Sequence, residues 1–85
     1  MASYSVRIKR SAAKELESIA LKDRRRIVHR IESLGTDPRP PGCEKLSGEE
    51  KYRLRQGDYR ILYEIVDRQL VVMVVKIGNR RDVYR

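Results

Sequence analysis

The sequence predicts an α+β fold of order β-α-α-β-β-β(-β), with a helical hairpin packed on one face of an antiparallel-rich sheet. Three observations carry this expectation. The first run alternates apolar and polar residues, helical spacing is confined to residues 11–35, and the chain after the proline-rich segment reads as strand. Helices grouped early and strands grouped late do not build the alternating crossovers of a parallel sheet.

Each element has its own local reason. Tyr4, Val6 and Ile8 alternate with Ser5, Arg7 and Lys9, the period of two of a half-buried strand over residues 4–9. Ser11 is placed to cap a helix whose apolar face is Ala12, Leu16, Ile19 and Ala20. Asp23 is placed to cap a second helix, with Ile27, Val28, Ile31 and Leu34 on its apolar face and Gly35 ending it at positive φ. Residues 35–42 carry Pro38, Pro40 and Pro41 without periodicity, which makes a loop leading back to the sheet. Strands follow over residues 51–56, 59–66 and 70–77, and residues 81–84 form a candidate further strand. With 85 residues, the whole of 1–85 is expected to be a single domain.

Charge narrows the function. Twenty Lys and Arg against twelve Asp and Glu leave +8, a self-repulsion that an anionic partner relieves. Nucleic acid, an acidic protein or an anionic membrane surface would serve. No stretch approaches the roughly 18 apolar residues of a spanning helix, and the chain opens without a signal-peptide segment, so a soluble cytoplasmic protein without membrane partner is expected. A lone cysteine, Cys43, and a lone histidine, His29, exclude an internal disulfide and a Cys/His metal cluster. No metal and no cofactor is expected.

The arginines have a pattern. Gly57-Asp58 fits a two-residue type II′ hairpin turn, which pairs Gln56 with Tyr59, Arg55 with Arg60, Leu54 with Ile61, Arg53 with Leu62 and Tyr52 with Tyr63. Arg53, Arg55 and Arg60 then leave one sheet face together, while Leu54, Ile61, Tyr63 and Ile65 leave the other, toward the helices. Arg55 opposite Arg60 sets like charges on adjacent strands, which favours an anion between them. Guanidinium forks suit phosphate oxygens and stay charged at any physiological pH. On this basis, neutralising Arg60 is expected to preserve or raise stability.

Residues 70–75, Leu-Val-Val-Met-Val-Val, are apolar throughout and so buried on both faces. A two-residue loop at Asp67-Arg68 or Arg68-Gln69 places Val71, Met73 and Val75 beside Leu62 on the arginine side; a three-residue loop inverts this. In the first case an apolar patch borders the cationic face, open to a partner or covered by the C-terminal segment. Arg24, Arg25 and Arg26 oppose the dipole at the start of the second helix, as either a solvated face or a secondary electrostatic surface.

Three segments together resemble the RelE branch of the RelE/ParE toxin superfamily: Lys45-Leu46-Ser47-Gly48, then Tyr52 through the Gly57-Asp58-Tyr59-Arg60 hairpin to Ile65, and Val75-Lys76-Ile77-Gly78-Asn79-Arg80-Arg81-Asp82-Val83-Tyr84. The resemblance spans essentially the whole chain. It implies a toxin of a type II toxin–antitoxin pair that enters the ribosomal A site and cleaves messenger RNA by 2′-hydroxyl attack on the adjacent phosphate. It implies as partners an acidic RelB-like antitoxin, mRNA and the ribosome, with the toxin–antitoxin complex on operator DNA as a further assembly. Carried onto this sequence, the site is Arg53, Arg55, Arg60, Arg80 and Tyr84. Arg81 and Lys45 join Arg53, Arg55, Arg60 and Arg80 in holding RNA phosphates, and Leu62, Val71, Met73 and Val75 meet the antitoxin. Arg60 and Arg80 would stabilise the charge of the phosphorane, with Tyr84 as proton carrier, its pKa lowered by the arginines around it. Arg53 and Arg55 stand where relatives often carry lysine, and arginine does not readily exchange a proton. Two other functions fit the same composition: a ParE-like toxin that binds DNA gyrase without cutting RNA, and a non-catalytic RNA-binding module.

Overall fold

A computed structural model describes residues 3–46 and 50–79. Two helices pack on one face of a five-stranded mixed sheet. The elements are β1 (Ser5–Ile8), α1 (Arg10–Glu17), α2 (Leu21–Ser33), β2 (Glu44–Lys45), β3 (Lys51–Gln56), β4 (Tyr59–Val66) and β5 (Val71–Asn79), with a 3₁₀ turn over Asp67–Gln69. Strand order is β1-β5-β4-β3-β2; β1 runs parallel to β5 and the other pairs are antiparallel. The α+β class and the helical layer agree with the pattern of the sequence. The short edge strand β2 has too few residues to show a period.

The core lies between the helices and the sheet. Ala12, Leu16, Ile19, Ile27, Ile31 and Leu34 meet Leu54, Ile61, Tyr63, Ile65, Val72, Val74 and Ile77 in one cluster. Burying each of the larger aliphatic side chains contributes about 1.5–3 kcal/mol, against ordering entropy of similar total size. Tyr52 and Tyr63 stack with ring centroids 5.7 Å apart, and the Tyr63 hydroxyl donates to the Pro38 carbonyl at 2.8 Å.

Several local expectations are corrected. Helix α1 begins at Arg10 with Lys9 as its N-cap, so Ser11 lies inside the helix and caps nothing. Helix α2 begins at Leu21 after Ala20, which leaves Asp23 in its first turn and Ala20 exposed outside the core. Gly35 does not take positive φ. It is needed for closeness instead: a Cβ there would lie 3.0 Å from the Tyr4 carbonyl oxygen and 3.3 Å from Val6 Cγ2, where Tyr4 N–H donates to Gly35 O at 2.8 Å. The end of α2 thereby meets the start of β1.

The β4–β5 connection has neither two nor three residues. Val66 pairs with Val71, so residues 67–70 form the loop, closed by Leu70 in the left-handed region at φ 53°. Four residues give the same facing as two, and Val71 and Met73 therefore sit on the arginine side, opposite Val66 and Glu64. A bulge then intervenes. Tyr63 pairs with Val74 but Leu62 pairs with Lys76, which makes Val75 the extra residue. Without it Lys76 would enter the core opposite Ile61. With it Ile77 does, and Gly78 arrives beside Arg60. The candidate strand over residues 81–84 lies outside the described residues.

Candidate nucleic-acid interface

The β3–β4 hairpin positions the arginines as its turn dictates. Gly57 has φ +60° and Asp58 does not share the positive value, the pattern of a type II′ turn. The pairs run from Gln56 with Tyr59, through Arg55 with Arg60, to Lys51 with Glu64. Leu54, Ile61, Tyr63 and Ile65 are buried toward the helices, and Arg53, Arg55 and Arg60 share the opposite face.

The three arginines differ in environment. Arg55 is exposed. The side chain of Arg53 is 16% exposed and its Nη2 meets Glu44 Oε2 at 2.7 Å across the β2–β3 pair. Arg60 is only 4% exposed, between Arg55 on β3 and Gly78 on β5. The like charges therefore divide, one laid into the protein and one held in water. Burial of its long stem reverses the stability expectation for Arg60: truncation to Ala removes packed methylenes as well as charge.

The other sequence-assigned residues are placed as follows. Lys45 pairs with Tyr52, on the helix-facing side, and its Nζ meets Glu50 Oε1 at 3.3 Å, so it does not join the arginine face. Val71 is buried, and Leu62, Met73 and Val75 are half-buried, so the apolar border is a partly covered strip and not an open patch. Arg80, Arg81 and Tyr84 lie outside the described residues.

Two groups carry no local signal in the sequence. Glu15 of α1 accepts from the Ile77 N–H at 3.1 Å and from Lys76 Nζ at 3.2 Å, occupying the edge of β5 beyond the end of β1. A cavity of about 330 Å³ opens there, lined by Glu15, Ser18, Tyr59, Lys76, Gly78 and Asn79 among others. Arg39, set between Pro38 and Pro40, ties the long loop to the sheet. Its Nη2 meets Asp67 Oδ2 at 2.9 Å and Glu50 Oε2 at 3.2 Å, its Nε donates to Tyr52 Oη at 2.9 Å, and Tyr4 Oη donates to Asp67 Oδ1 at 2.6 Å. Arg39 and then Tyr4 hold the Asp67 carboxyl below its usual range, and Tyr52 and then Lys45 do so for Glu50. Asp67 and Tyr52 make the Arg39 guanidinium hold its proton more firmly still. Burial pushes the Tyr63 phenol upward.

The hairpin thus sets three guanidinium groups on one sheet face, a kind of group that suits phosphate oxygens but does not readily exchange a proton. Among the described residues no helix is long and apolar enough to cross a membrane.

Comparison with known proteins agrees with this architecture. The family model described as ParE toxin of type II toxin-antitoxin system, parDE, matches residues 6–84. A protein of Escherichia coli named as RelE-like toxin is 29% identical over 86 aligned positions, covering 95% of this chain and 90% of its own. A chain of the archaeal RelE-RelB complex from Pyrococcus horikoshii OT3 superposes with a TM-score of 0.85 at 29% identity, covering 94% of this chain and 98% of that one. The isolated E. coli RelE toxin superposes at 0.80 with 25% identity, over 96% and 92% of the two chains.

Proposed function

The chain belongs to the family of ParE toxins of type II toxin–antitoxin systems, and on that premise we propose that it is a ribosome-dependent endoribonuclease that cleaves mRNA in the ribosomal A site. It is a RelE-like toxin by its relatives. The observation that carries the nuclease reading is Arg55 set opposite Arg60, with Gly78 leaving the flank of Arg60 without a side chain. Two guanidinium groups set side by side offer a phosphate both positive charge and paired N–H donors.

In the reaction the 2′-oxygen bonds to phosphorus and the bond to the 5′-oxygen breaks, giving a 2′,3′-cyclic phosphate and a 5′-hydroxyl. Charge on the phosphorane grows as it forms, so fixed guanidinium groups at Arg60 and Arg80 stabilise it more than the ground state. Arg53 and Arg55 orient the backbone. Tyr84 takes the role of proton carrier, and the ribosome supplies the alignment that a weak acid–base set lacks. Arg81 adds to the field.

An acidic RelB-like antitoxin is the proposed partner, as in the RelE-RelB complexes among the structural neighbours. It would neutralise the arginine face and cover Leu62, Met73 and Val75 beside Val71, and the complex would sit on operator DNA in the cytoplasm. The ParE description of the matching family favours a second reading, inhibition of DNA gyrase without RNA cleavage. The test is to add the purified chain to mRNA, free and in programmed ribosomes, and map ends by primer extension. Cleavage on the ribosome alone, lost in Arg80→Ala, is expected; intact RNA in both, with loss of gyrase supercoiling, establishes the second reading.

A further inference from the structure

The arginine face does not account for the cations of α2. Within Leu21–Ser33 there are five Lys or Arg and two carboxylates. At 100° per residue Lys22, Arg25, Arg26 and His29 fall in one arc, opposite the buried Ile27, Ile31 and Leu34, and all four are exposed. Arg24 and Arg30 flank the apolar stripe, and their Nε atoms are shut from solvent with no acceptor within reach among the described residues.

Among the described residues these cations, like Arg7, Lys9, Arg10, Lys14, Arg55 and Arg68, lack the carboxylate partners that others have. Arg39, Lys45, Lys51, Arg53 and Lys76 each meet a carboxylate within 4 Å. Among the described residues Lys22, Arg24, Arg25, Arg26 and Arg30 meet none. Most of them occupy the first half of the helix, where positive charge opposes the dipole. Helix stability does not explain them.

We infer that the exposed stripe of α2, centred on Lys22, Arg25 and Arg26, is a second RNA contact, which grips the phosphate backbone of double-stranded RNA. The inference rests on the RNA-directed function proposed above. The stripe is straight, with Lys22 and Arg26 about 6 Å apart along the axis. It holds no Phe, Tyr or Trp on which unpaired bases could stack, only His29, and the exposed apolar side chain beside it, Leu21, lies at its edge and not at its centre. Duplex RNA is recognised by its shape, phosphates and 2′-hydroxyls, and Lys and Arg side chains can donate to both kinds of oxygen. Because α2 packs on the sheet face opposite the arginines, the two contacts lie on opposite sides of the molecule. The protein would sit between a single strand on the sheet side and a duplex on the helix side.

The test compares wild type with Lys22→Gln/Arg25→Gln/Arg26→Gln, all exposed positions, by fluorescence anisotropy across a salt series. The probes are a blunt RNA duplex of about 16 base pairs, the same duplex as DNA, and a short single-stranded RNA. The variant is expected to lose duplex RNA affinity, its log–log salt slope falling by roughly 0.7–0.9 per cation removed, with single-strand binding unchanged. Arg55→Gln should show the converse. An unaltered duplex slope overturns the inference, and so does an equal or larger loss toward duplex DNA. Failure of cleavage on the ribosome would leave this duplex comparison intact, so the two proposals fail separately.

Discussion

The two ends of the β3–β4 hairpin treat charge in opposite ways. At the open end Lys51 faces Glu64 at 3.7 Å, and Arg39 is held by Asp67 and Glu50 against Tyr52. At the turn end Arg55 faces Arg60 across the ladder. The same strands thus set opposite charges side by side where they anchor a loop and two arginines side by side at the turn. Matched pairs exposed to water each contribute under about 1 kcal/mol and hold geometry more than they stabilise. Two arginines side by side add positive potential at one place, which favours a polyanion there.

The largest effect in breaking this contrast is expected at Arg60. Arg60→Met keeps most of the buried stem, so single-turnover cleavage on programmed ribosomes should fall about 10²–10³-fold while the melting temperature falls less than in Arg60→Ala. Arg60→Ala should add a stability loss of about 1–3 kcal/mol in denaturant unfolding. Full activity in Arg60→Met would remove the guanidinium from the chemistry.

Arg39→Met attacks the other end. Screening limits its exposed pairs, so a loss of about 1 kcal/mol is expected, roughly 4–8 °C in Tm for a chain of this size, with cleavage unimpaired. A larger loss of activity than of stability would show that the loop anchor serves the site directly.

The matched end should also respond to acid. Asp67 and Glu50 are both held below their usual values, so the folded state binds their protons less tightly than the unfolded one. Their stabilisation is in full force above the ordinary carboxylate pKa and is lost as pH falls through the lowered folded values. Melting curves of wild type should therefore decline below about pH 4, and Arg39→Met should flatten that decline. The smallest effect is expected from Glu44→Gln, which releases Arg53 from its 2.7 Å partner. Single-stranded RNA should bind a few-fold more tightly, with a salt slope steeper by roughly one.

How far the sequence foretells this molecule depends on how local each cause is. The hairpin register follows from Gly57-Asp58 alone, and every pair from Gln56–Tyr59 to Tyr52–Tyr63 stands as that turn dictates. The β4–β5 loop hides its length because a leucine, Leu70, takes the left-handed position where glycine would have marked it. The bulge at Val75 follows from a conflict visible only once β4 and β5 are aligned, since Lys76 cannot enter the core. Gly35 announces a helix end but serves a close approach to β1. Arg39 finds Glu50 and Asp67 across 11 and 28 residues of sequence, a separation at which no spacing rule operates. The arginine face was legible because alternation placed it; the burial of Arg60 was not, because alternation gives the face of a side chain and not how far its neighbours cover it.

The claim that the turn end receives the phosphate is tested most directly by titrating the protein with a short RNA carrying a 2′-O-methyl group at the scissile position and mapping amide and arginine side-chain shifts by NMR. The largest shifts are expected on Arg55, Arg60 and Gly78, while Arg39, Glu50 and Asp67 stay unmoved. Shifts centred on the Arg39 end, or none on the arginine face at saturating RNA, would contradict it.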